Sequence, residues 1–94
     1  MYIVVQHQVT DPVKFWPADV AEYARMVPPH LRLHHTLAGV DGTRAVCVWE
    51  AESVAALRDW LEPATADGSV NAYFAAVNKE GVAIPSARAA TQRA

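Results

Sequence analysis

The stretch that decides the fold is Tyr2-Ile-Val-Val-Gln-His-Gln-Val9, near the start of the 94-residue chain. It is rich in β-branched residues and it alternates in polarity, which predicts a β-strand over 2–9. One face of this strand carries Ile3, Val5, His7 and Val9. A histidine therefore stands in line with three aliphatic residues, on the face that a core would bury.

A helical region is predicted after this strand. Asp11 can accept hydrogen bonds from the first free amides of a helix, and Pro12 suits the first helical position. Because Pro17 interrupts the pattern, we expect a short turn over 12–16 and a helix over about 18–27, with a single kinked helix as the alternative. The buried stripe of this helix is predicted to hold Val20, Tyr23, Ala24 and Val27.

Two strands joined by a tight turn are predicted next, over 31–38 and 44–50. Asp41-Gly42 lies between them and suits a turn with positive φ. The strand over 44–50 is apolar on both faces, which favours a central position covered on both sides. In the strand over 31–38, His34 and His35 are adjacent, so a regular strand would point them to opposite faces.

The rest of the chain is predicted to hold two more helices and one more strand. Ser53 can cap a helix over 54 to about 62, which Pro63 and Asp67-Gly68 are expected to break. A short helix over 70–77 then presents Tyr73 and Phe74 on its apolar side. A strand over 82–84 and a frayed tail over 86–94 follow.

The predicted class is α+β, in the order β-α-β-β-α-β with an extra short helix before the last strand. This is the split βαβ arrangement, with an antiparallel sheet and helices on one face, in a single domain over 1–85. The second face of the sheet is also apolar and needs a cover. A second copy of the chain, paired sheet to sheet, would supply it and form a homodimeric barrel.

Composition excludes several classes of protein. The net charge is −2 with neutral histidines, so neither nucleic acid nor an anionic membrane is an expected partner. No apolar run approaches the roughly 20 residues of a membrane span, and no signal-peptide pattern opens the chain, so a cytoplasmic location is expected. The single cysteine, Cys47, cannot form an intrachain disulfide and is interpreted as a small buried hydrophobe.

With these elements the chain resembles the dimeric α+β barrel (ferredoxin-like) superfamily. The resemblance rests on the strand that begins at residue 2, the hairpin at Asp41-Gly42 and the stretch Val46-Cys-Val-Trp-Glu-Ala-Glu-Ser-Val-Ala-Ala-Leu57, and it covers roughly 2–85. Such proteins include cofactor-independent monooxygenases, polyketide cyclases, muconolactone isomerases, haem-degrading enzymes and small nickel-binding proteins. The resemblance implies a ligand pocket between sheet and helices, but it assigns no subfamily and no function.

The candidate catalytic residues are His7, His34 and His35. His7 would act as a base or an orienting group, with one of the other two as its partner. A neutral imidazole in an apolar pocket has a lowered pKa and can remove a proton beside a carbonyl group. Trp49 and Tyr73 are the candidate substrate-binding residues, because they could enclose a flat aromatic molecule. We therefore expect a cofactor-independent cyclase, isomerase or monooxygenase acting on a small aromatic or polyketide-like substrate.

Two other functions remain open from the sequence. One is a nickel- or copper-binding protein that uses His7, one further strand histidine and a carboxylate such as Glu50, although two histidines fall short of the usual ligand set. The other is a non-catalytic dimeric module that binds a small apolar molecule. A histidine on an apolar face is also often a simple wall residue of the core.

Overall fold

The computed structural model describes residues 1–77, which form one four-stranded antiparallel sheet faced by helices. The elements are β1 (Tyr2–Val9), α1 (Pro12–Phe15), α2 (Val20–Met26), β2 (Arg32–Ala38), β3 (Arg44–Glu50), α3 (Val54–Thr65) and β4 (Ser69–Ala76). The predicted α+β class and the first three predicted strands are confirmed. The predicted strand over 82–84, the domain end at 85 and the tail over 86–94 lie outside the described residues.

The strands lie in the order β2-β3-β1-β4, and every neighbouring pair is antiparallel. This order is compatible with a ferredoxin-like arrangement. β1 is central and hydrogen-bonds along its length to both β3 and β4. None of the helices in 1–77 is both long enough and apolar enough to cross a membrane.

The helix predicted over 70–77 is wrong, because this segment is the strand β4. Its alanines and the spacing of its apolar side chains suit a helix as well as a strand, so the sequence pattern does not distinguish the two structures. The segment pairs with β1 in eight register positions, from Tyr2 with Ala76 to Val9 with Ser69. A helix of this length would be marginal alone, whereas the open edge of β1 satisfies the backbone of the whole segment.

Within residues 1–77, helices pack on one face of the sheet and not on the other. The inner face is the one toward the helices, and its buried residues include Ile3, Val5 and His7 of β1 and Ala45, Cys47 and Trp49 of β3. Leu57 and Leu61 of α3 pack on this face. The outer face carries the alternate residues, among them Tyr2, Val4, Val46, Val48 and Phe74. No helix within 1–77 packs on the outer face.

The predicted helix caps at Asp11 and Ser53 are confirmed. Asp11 accepts from the amides of Val13 and Lys14, and Ser53 accepts from the amide of Ala56. The predicted break is wrong at Pro63, which lies in the last turn of α3, and it is confirmed at Asp67-Gly68, because the helix ends at Thr65. The kinked-helix alternative is also not found, because α1 and α2 are separate helices and Asp19 caps the second.

The predicted stripe on the helix over 18–27 is only partly found. Neither α1 nor α2 contains a buried residue, Val20 is 73 % exposed, and Tyr23 and Val27 are half-buried. The reason is that α2 does not pack closely on the sheet. The space between them is a cavity.

The strand β2 contains a β-bulge. Leu33 pairs with Trp49, but the next partner of β3, Val48, lies opposite His35, so His34 is the extra residue. In a regular strand His35 would stand opposite Cys47 on the inner face. With the bulge, Thr36 takes that position and His35 moves to the outer face.

Candidate functional site

A cavity of about 560 Å³ lies between the inner face of the sheet, the α1–α2 segment and α3. Its floor is formed by strand residues, including His7, Thr36, Cys47 and Trp49. Aromatic side chains from the helices and their linker, Phe15, Trp16, Tyr23 and Trp60, form much of its wall. The charged side chains among its lining residues, Lys14, Asp19 and Glu22, all come from the α1–α2 segment. A largely apolar cavity with a few polar groups is the usual form of a small-molecule site.

The first of these polar groups is His7 of β1, whose alternation with Ile3 and Val5 places it on the inner face. It is only 4 % exposed. Its Nδ1 lies 2.6 Å from Oδ1 of Asn71, which stands opposite His7 on β4. The neighbouring strand therefore fixes the orientation of the ring.

The hydrogen bonds of Asn71 decide which ring nitrogen of His7 carries the proton. Its Nδ2 donates to Oε2 of Glu62 and to Oγ1 of Thr65, both at 2.8 Å. Because an ionised carboxylate only accepts, this sets the amide orientation and directs Oδ1 toward His7. Nδ1–H of His7 must then be the donor, and Nε2 is left with its lone pair.

Burial keeps this imidazole neutral. Desolvation lowers the pKa of His7 below its ordinary value of 6.5, and the hydrogen bond to Asn71 and the charge of Glu62 only partly oppose that shift. The pKa of Glu62 is itself lowered, first by the hydrogen bond from Tyr73 and then by that from Asn71. At neutral pH the arrangement is a neutral histidine with an unprotonated Nε2, held indirectly by a carboxylate, which is the form that a general base needs.

Two buried polar atoms beside the cavity have no hydrogen-bond partner within residues 1–77: Nε2 of His7 and Nε1 of Trp49. Leaving such a group unpaired costs about 1–3 kcal/mol. Each ring packs against an aromatic residue that lines the cavity. The Phe15 ring lies 4.9 Å from His7, centre to centre, and the Trp60 ring lies 5.8 Å from Trp49.

Two further titratable groups of the lining, Cys47 and Tyr23, are uncharged at neutral pH. Burial raises the pKa of the Cys47 thiol, although a hydrogen-bond contact with Thr36 acts in the opposite direction. Burial also raises the pKa of Tyr23. The interpretation of Cys47 as a buried thiol is confirmed, since it is 7 % exposed. A charged ligand would meet no compensating charge on this floor.

The wall that α1 provides is positioned by a glycine. The carbonyl of Gly68 accepts from the amides of Thr10 and Asp11 at the start of α1. A Cβ at position 68 would lie 2.9 Å from the backbone of Phe15, which is closer than such contacts occur. Glycine at 68 therefore allows α1 to approach the sheet and bring Phe15 onto His7.

The structure brings together two of the five predicted site residues. His7 and Trp49 both line the cavity, whereas Tyr73, His34 and His35 are not among its lining residues. Tyr73 lies on the inner face of β4, donates to Glu62 and is covered by the Arg58 guanidinium at 5.1 Å. It supports the Glu62–Asn71 network and does not enclose the cavity with Trp49.

The expectation that His34 and His35 point to opposite faces is wrong, because the bulge in β2 breaks the alternation. His35 pairs with Val48 on the outer face. Nε2 of His34 lies 3.0 Å from Oε1 of Glu50, and its ring packs against Tyr2, which is also on the outer face. Neither histidine shares a face with His7.

Three further residues of the site were not singled out from the sequence. Asn71 fixes the tautomer of His7, Phe15 covers its ring, and Trp60 covers Trp49. Asn71 was missed because its segment was predicted to be a helix. Once 69–76 is taken as a strand beside β1, the alternation Ser69, Asn71, Tyr73 places polar groups next to the inner face.

The strand histidines do not assemble a metal site in the described part of the chain. His7 lies on the inner face, and the possible partners His34, His35 and Glu50 lie on the outer one. Residues 1–77 contain no group of three or more histidine, cysteine or carboxylate side chains placed to hold a metal ion. No observation here favours the nickel or copper alternative.

Comparisons with known proteins add no assignment. No family model matches the chain, and neither the curated proteins nor the solved structures gave a significant match. The geometry of the cavity is therefore the basis for a functional assignment.

Proposed function

We propose that this protein is a small cofactor-independent enzyme that binds a small aromatic or polyketide-like molecule in the cavity and uses His7 as a general base. The observation that carries this proposal is the state of His7. It is buried, neutral and fixed in one tautomer, its Nε2 has no hydrogen-bond partner among residues 1–77, and its side chain lines an apolar cavity. A wall histidine of the core would gain nothing from an unpaired ring nitrogen.

The reaction that this arrangement suits is removal of a proton from a carbon beside a carbonyl group. The C–H bond breaks, its proton goes to Nε2 of His7, and the electron pair moves to the carbonyl oxygen as an enolate. Return of a proton to another position would give an isomerisation, and attack of the enolate carbon within the same molecule would give a cyclisation. Asn71 would hold the ring throughout and is a positioning residue.

The test is hydrogen–deuterium exchange at the carbon acid of 2-tetralone, a flat bicyclic ketone, followed by NMR in D₂O. We expect the full chain to accelerate the exchange and His7→Phe to abolish the acceleration. The rate should level off above a midpoint below 6.5, since the pKa of His7 is lowered. His30→Asn, a change at an exposed histidine outside the cavity, is the matched control and should behave like the unmodified chain.

Equal exchange by the unmodified chain and His7→Phe would end the proposed role of His7. If 2-tetralone binds in the cavity and its exchange is not accelerated, the non-catalytic ligand-binding module becomes the better description. Circular dichroism and a melting curve show whether His7→Phe keeps the fold. The pH profile of the unmodified chain gives a second readout that does not depend on a variant.

We also propose that two copies pair through the outer face and form a dimeric barrel. Support comes from its exposed apolar side chains, since Leu37 is 66 % exposed, Val70 63 % and Phe74 49 %. Four strands about 4.8 Å apart and seven or eight residues long give a face of about 19 by 25 Å. This flat area of about 475 Å² is more than half of the roughly 800 Å² that each partner buries in a stable interface, and the side chains that stand on the face add to the surface buried. The polar residues His34, Glu50 and Arg44 would lie toward its rim.

Light scattering during size-exclusion chromatography tests the dimer. The unmodified chain should elute with twice the chain mass of 10.2 kDa, and Phe74→Asp should shift it toward the monomer. Val13→Asp is the matched control, because Val13 is 88 % exposed on α1, away from the outer face. A monomeric unmodified chain would end this part of the proposal and leave the His7 site untouched.

A further inference from the structure

Two buried polar atoms on cavity-lining side chains have no partner within residues 1–77, and they are of opposite kinds. Nε2 of His7 carries a lone pair and accepts, because Nδ1 holds the proton that is donated to Asn71. Nε1–H of Trp49 only donates. A ligand that satisfies both must present a donor at the His7 end and an acceptor at the Trp49 end.

The sheet register sets the distance between these two ends. Trp49 pairs with Ile3, and His7 pairs with Ala45, so the two residues are four positions apart along the strands and one strand apart across the sheet. The two Cα atoms are therefore about 14 Å apart, and the ring nitrogens have about the same separation where both side chains stand perpendicular to the sheet. Two hydrogen bonds of about 2.9 Å leave about 8 Å between the polar atoms of the ligand.

The floor between the two ends is apolar or neutral. Cys47 lies between Ala45 and Trp49 on the same face of β3, and Thr36 pairs with it on β2. Leu33 lies beside Trp49. This middle part can contact a flat hydrocarbon body and provides no cation to balance a carboxylate or a phosphate, since the charged side chains of the lining, Lys14, Asp19 and Glu22, lie on the α1–α2 segment.

We propose that the cavity takes an elongated, flat, uncharged hydroxy-aryl ketone whose hydroxyl donates to Nε2 of His7 and whose carbonyl accepts from Nε1 of Trp49. This inference goes beyond the proposed proton transfer and concerns how the cavity holds a ligand, because in this orientation Nε2 of His7 faces the hydroxyl and the carbonyl lies at the Trp49 end. It goes further in fixing the direction in which the ligand lies along β1 and β3.

The rings of Phe15 and Trp60 pack against His7 and Trp49, and they must shift for a ligand to form these contacts. Phe15 and Trp60 are both half-buried and line the cavity, so each can move toward the ligand body. Phe15 lies at the end of α1, a helix of four residues with none buried. Ligand entry replaces two ring contacts with ring–ligand contacts and pairs the two buried polar atoms.

The test uses 6-acetyl-2-naphthol, which carries a hydroxyl and a carbonyl at opposite ends of a flat body. Two matched compounds each lack one group: 2-acetyl-6-methoxynaphthalene cannot donate, and 2-naphthol has no carbonyl. Calorimetry with the full chain should show 6-acetyl-2-naphthol binding about fivefold tighter than either, the usual effect of one neutral hydrogen bond. In His7→Phe the preference over the methoxy compound should disappear, and the preference over 2-naphthol should remain.

Trp49 is fully buried, so its part is tested without a variant, by NMR of the unmodified chain. The three tryptophans give three indole N–H signals, which Trp16→Phe and Trp60→Phe assign by elimination. The Trp49 signal should move downfield with either acetyl compound and much less with 2-naphthol. The Nε2 signal of ¹⁵N-labelled His7 should respond to the two naphthols and not to the methoxy compound.

Equal affinity for the three compounds, with no selective shift of either nitrogen, would overturn this inference and leave the cavity as a binding site. A preference that survives unchanged in His7→Phe would also overturn it. Binding of none of the three would overturn the inference together with the proposed small-molecule site.

Discussion

The inner and outer faces of the sheet carry the same alternation of aliphatic residues, but helices cover only the inner one within residues 1–77. On β1 two neighbouring valines show the difference: Val5 is fully buried on the inner face, and Val4 is half-buried on the outer face. The histidines divide in the same way, with His7 on the inner face and His34 and His35 on the outer. Burial under the helices therefore distinguishes His7 from the other two, because it lowers the pKa of this imidazole and keeps its Nε2 away from water.

The sharpest test of this contrast is the pair Val5→Ala and Val4→Ala. The first should lower the free energy of unfolding by about 2.5 kcal/mol, because it removes two buried methyl groups and leaves a void. The second should cost less than half of that. Urea unfolding at low protein concentration measures both. Equal losses would mean that the outer face is covered as completely as the inner one.

Gly68→Ala should displace α1, which covers the inner face near His7. The new Cβ would meet the Phe15 backbone at 2.9 Å, and because backbone must move, we expect a loss of about 2 kcal/mol. Gly42→Ala is the control. Its φ is +78° but its surroundings are open, so it should cost only about 1 kcal/mol.

The fluorescence of a dye bound in the cavity distinguishes the two glycine variants further. Gly68→Ala should change it, since α1 moves, whereas Gly42→Ala should not. An unchanged dye signal in Gly68→Ala would contradict the role of residue 68 in positioning Phe15.

The inner-face histidine should also make stability depend on pH. Because the folded pKa of His7 is lowered, the unfolded chain binds more protons, so stability falls as pH falls below 6.5. The carboxylates of Asp41, Glu50 and Glu62 act in the same direction, but below their ordinary values of 3.8 to 4.5. Urea unfolding on both sides of pH 6.5 should therefore show a slope that His7→Phe lacks. The same slope in both chains would mean that His7 is not its source.

The smallest effect is expected at His35, one of the two outer-face histidines. His35 is exposed, so His35→Ala should change the free energy of unfolding by no more than about 0.5 kcal/mol. It should also leave 2-tetralone exchange unchanged, because His35 does not line the cavity. A large loss of stability would indicate that this residue is buried by a partner at the concentration used.

The sequence predicted those parts of the fold in which local pattern and environment agree. The alternation of β1 placed His7 correctly beside Ile3 and Val5, and Asp11 and Ser53 correctly predicted helix starts. The bulge in β2 could not be predicted in this way, because a single extra residue leaves the composition of the strand unchanged and moves His35 to the other face. The apolar residues over 70–77 fit both the helical period and the strand period. Only the pairing with β1 determines that this segment is a strand.

The site shows the same limit. His7 was found because its strand is regular, but the residue that fixes its proton, Asn71, lies 64 positions away on β4. Tyr73 was chosen for its aromatic ring, yet its hydroxyl bonds Glu62 and its ring does not line the cavity. Such relations depend on which strands are neighbours, and local periodicity does not carry that information.

The contact between Gly68 and the start of α1 also determines when the cavity can form during synthesis of the chain. The chain emerges from its N-terminus, so β1 and α1 are made long before residue 68. Until that residue arrives, the amides of Thr10 and Asp11 lack the carbonyl that they bond in the finished fold. The wall beside His7 is therefore completed only when β4 begins to dock on β1, and a nascent chain that stops before residue 68 has a histidine but no enclosed cavity.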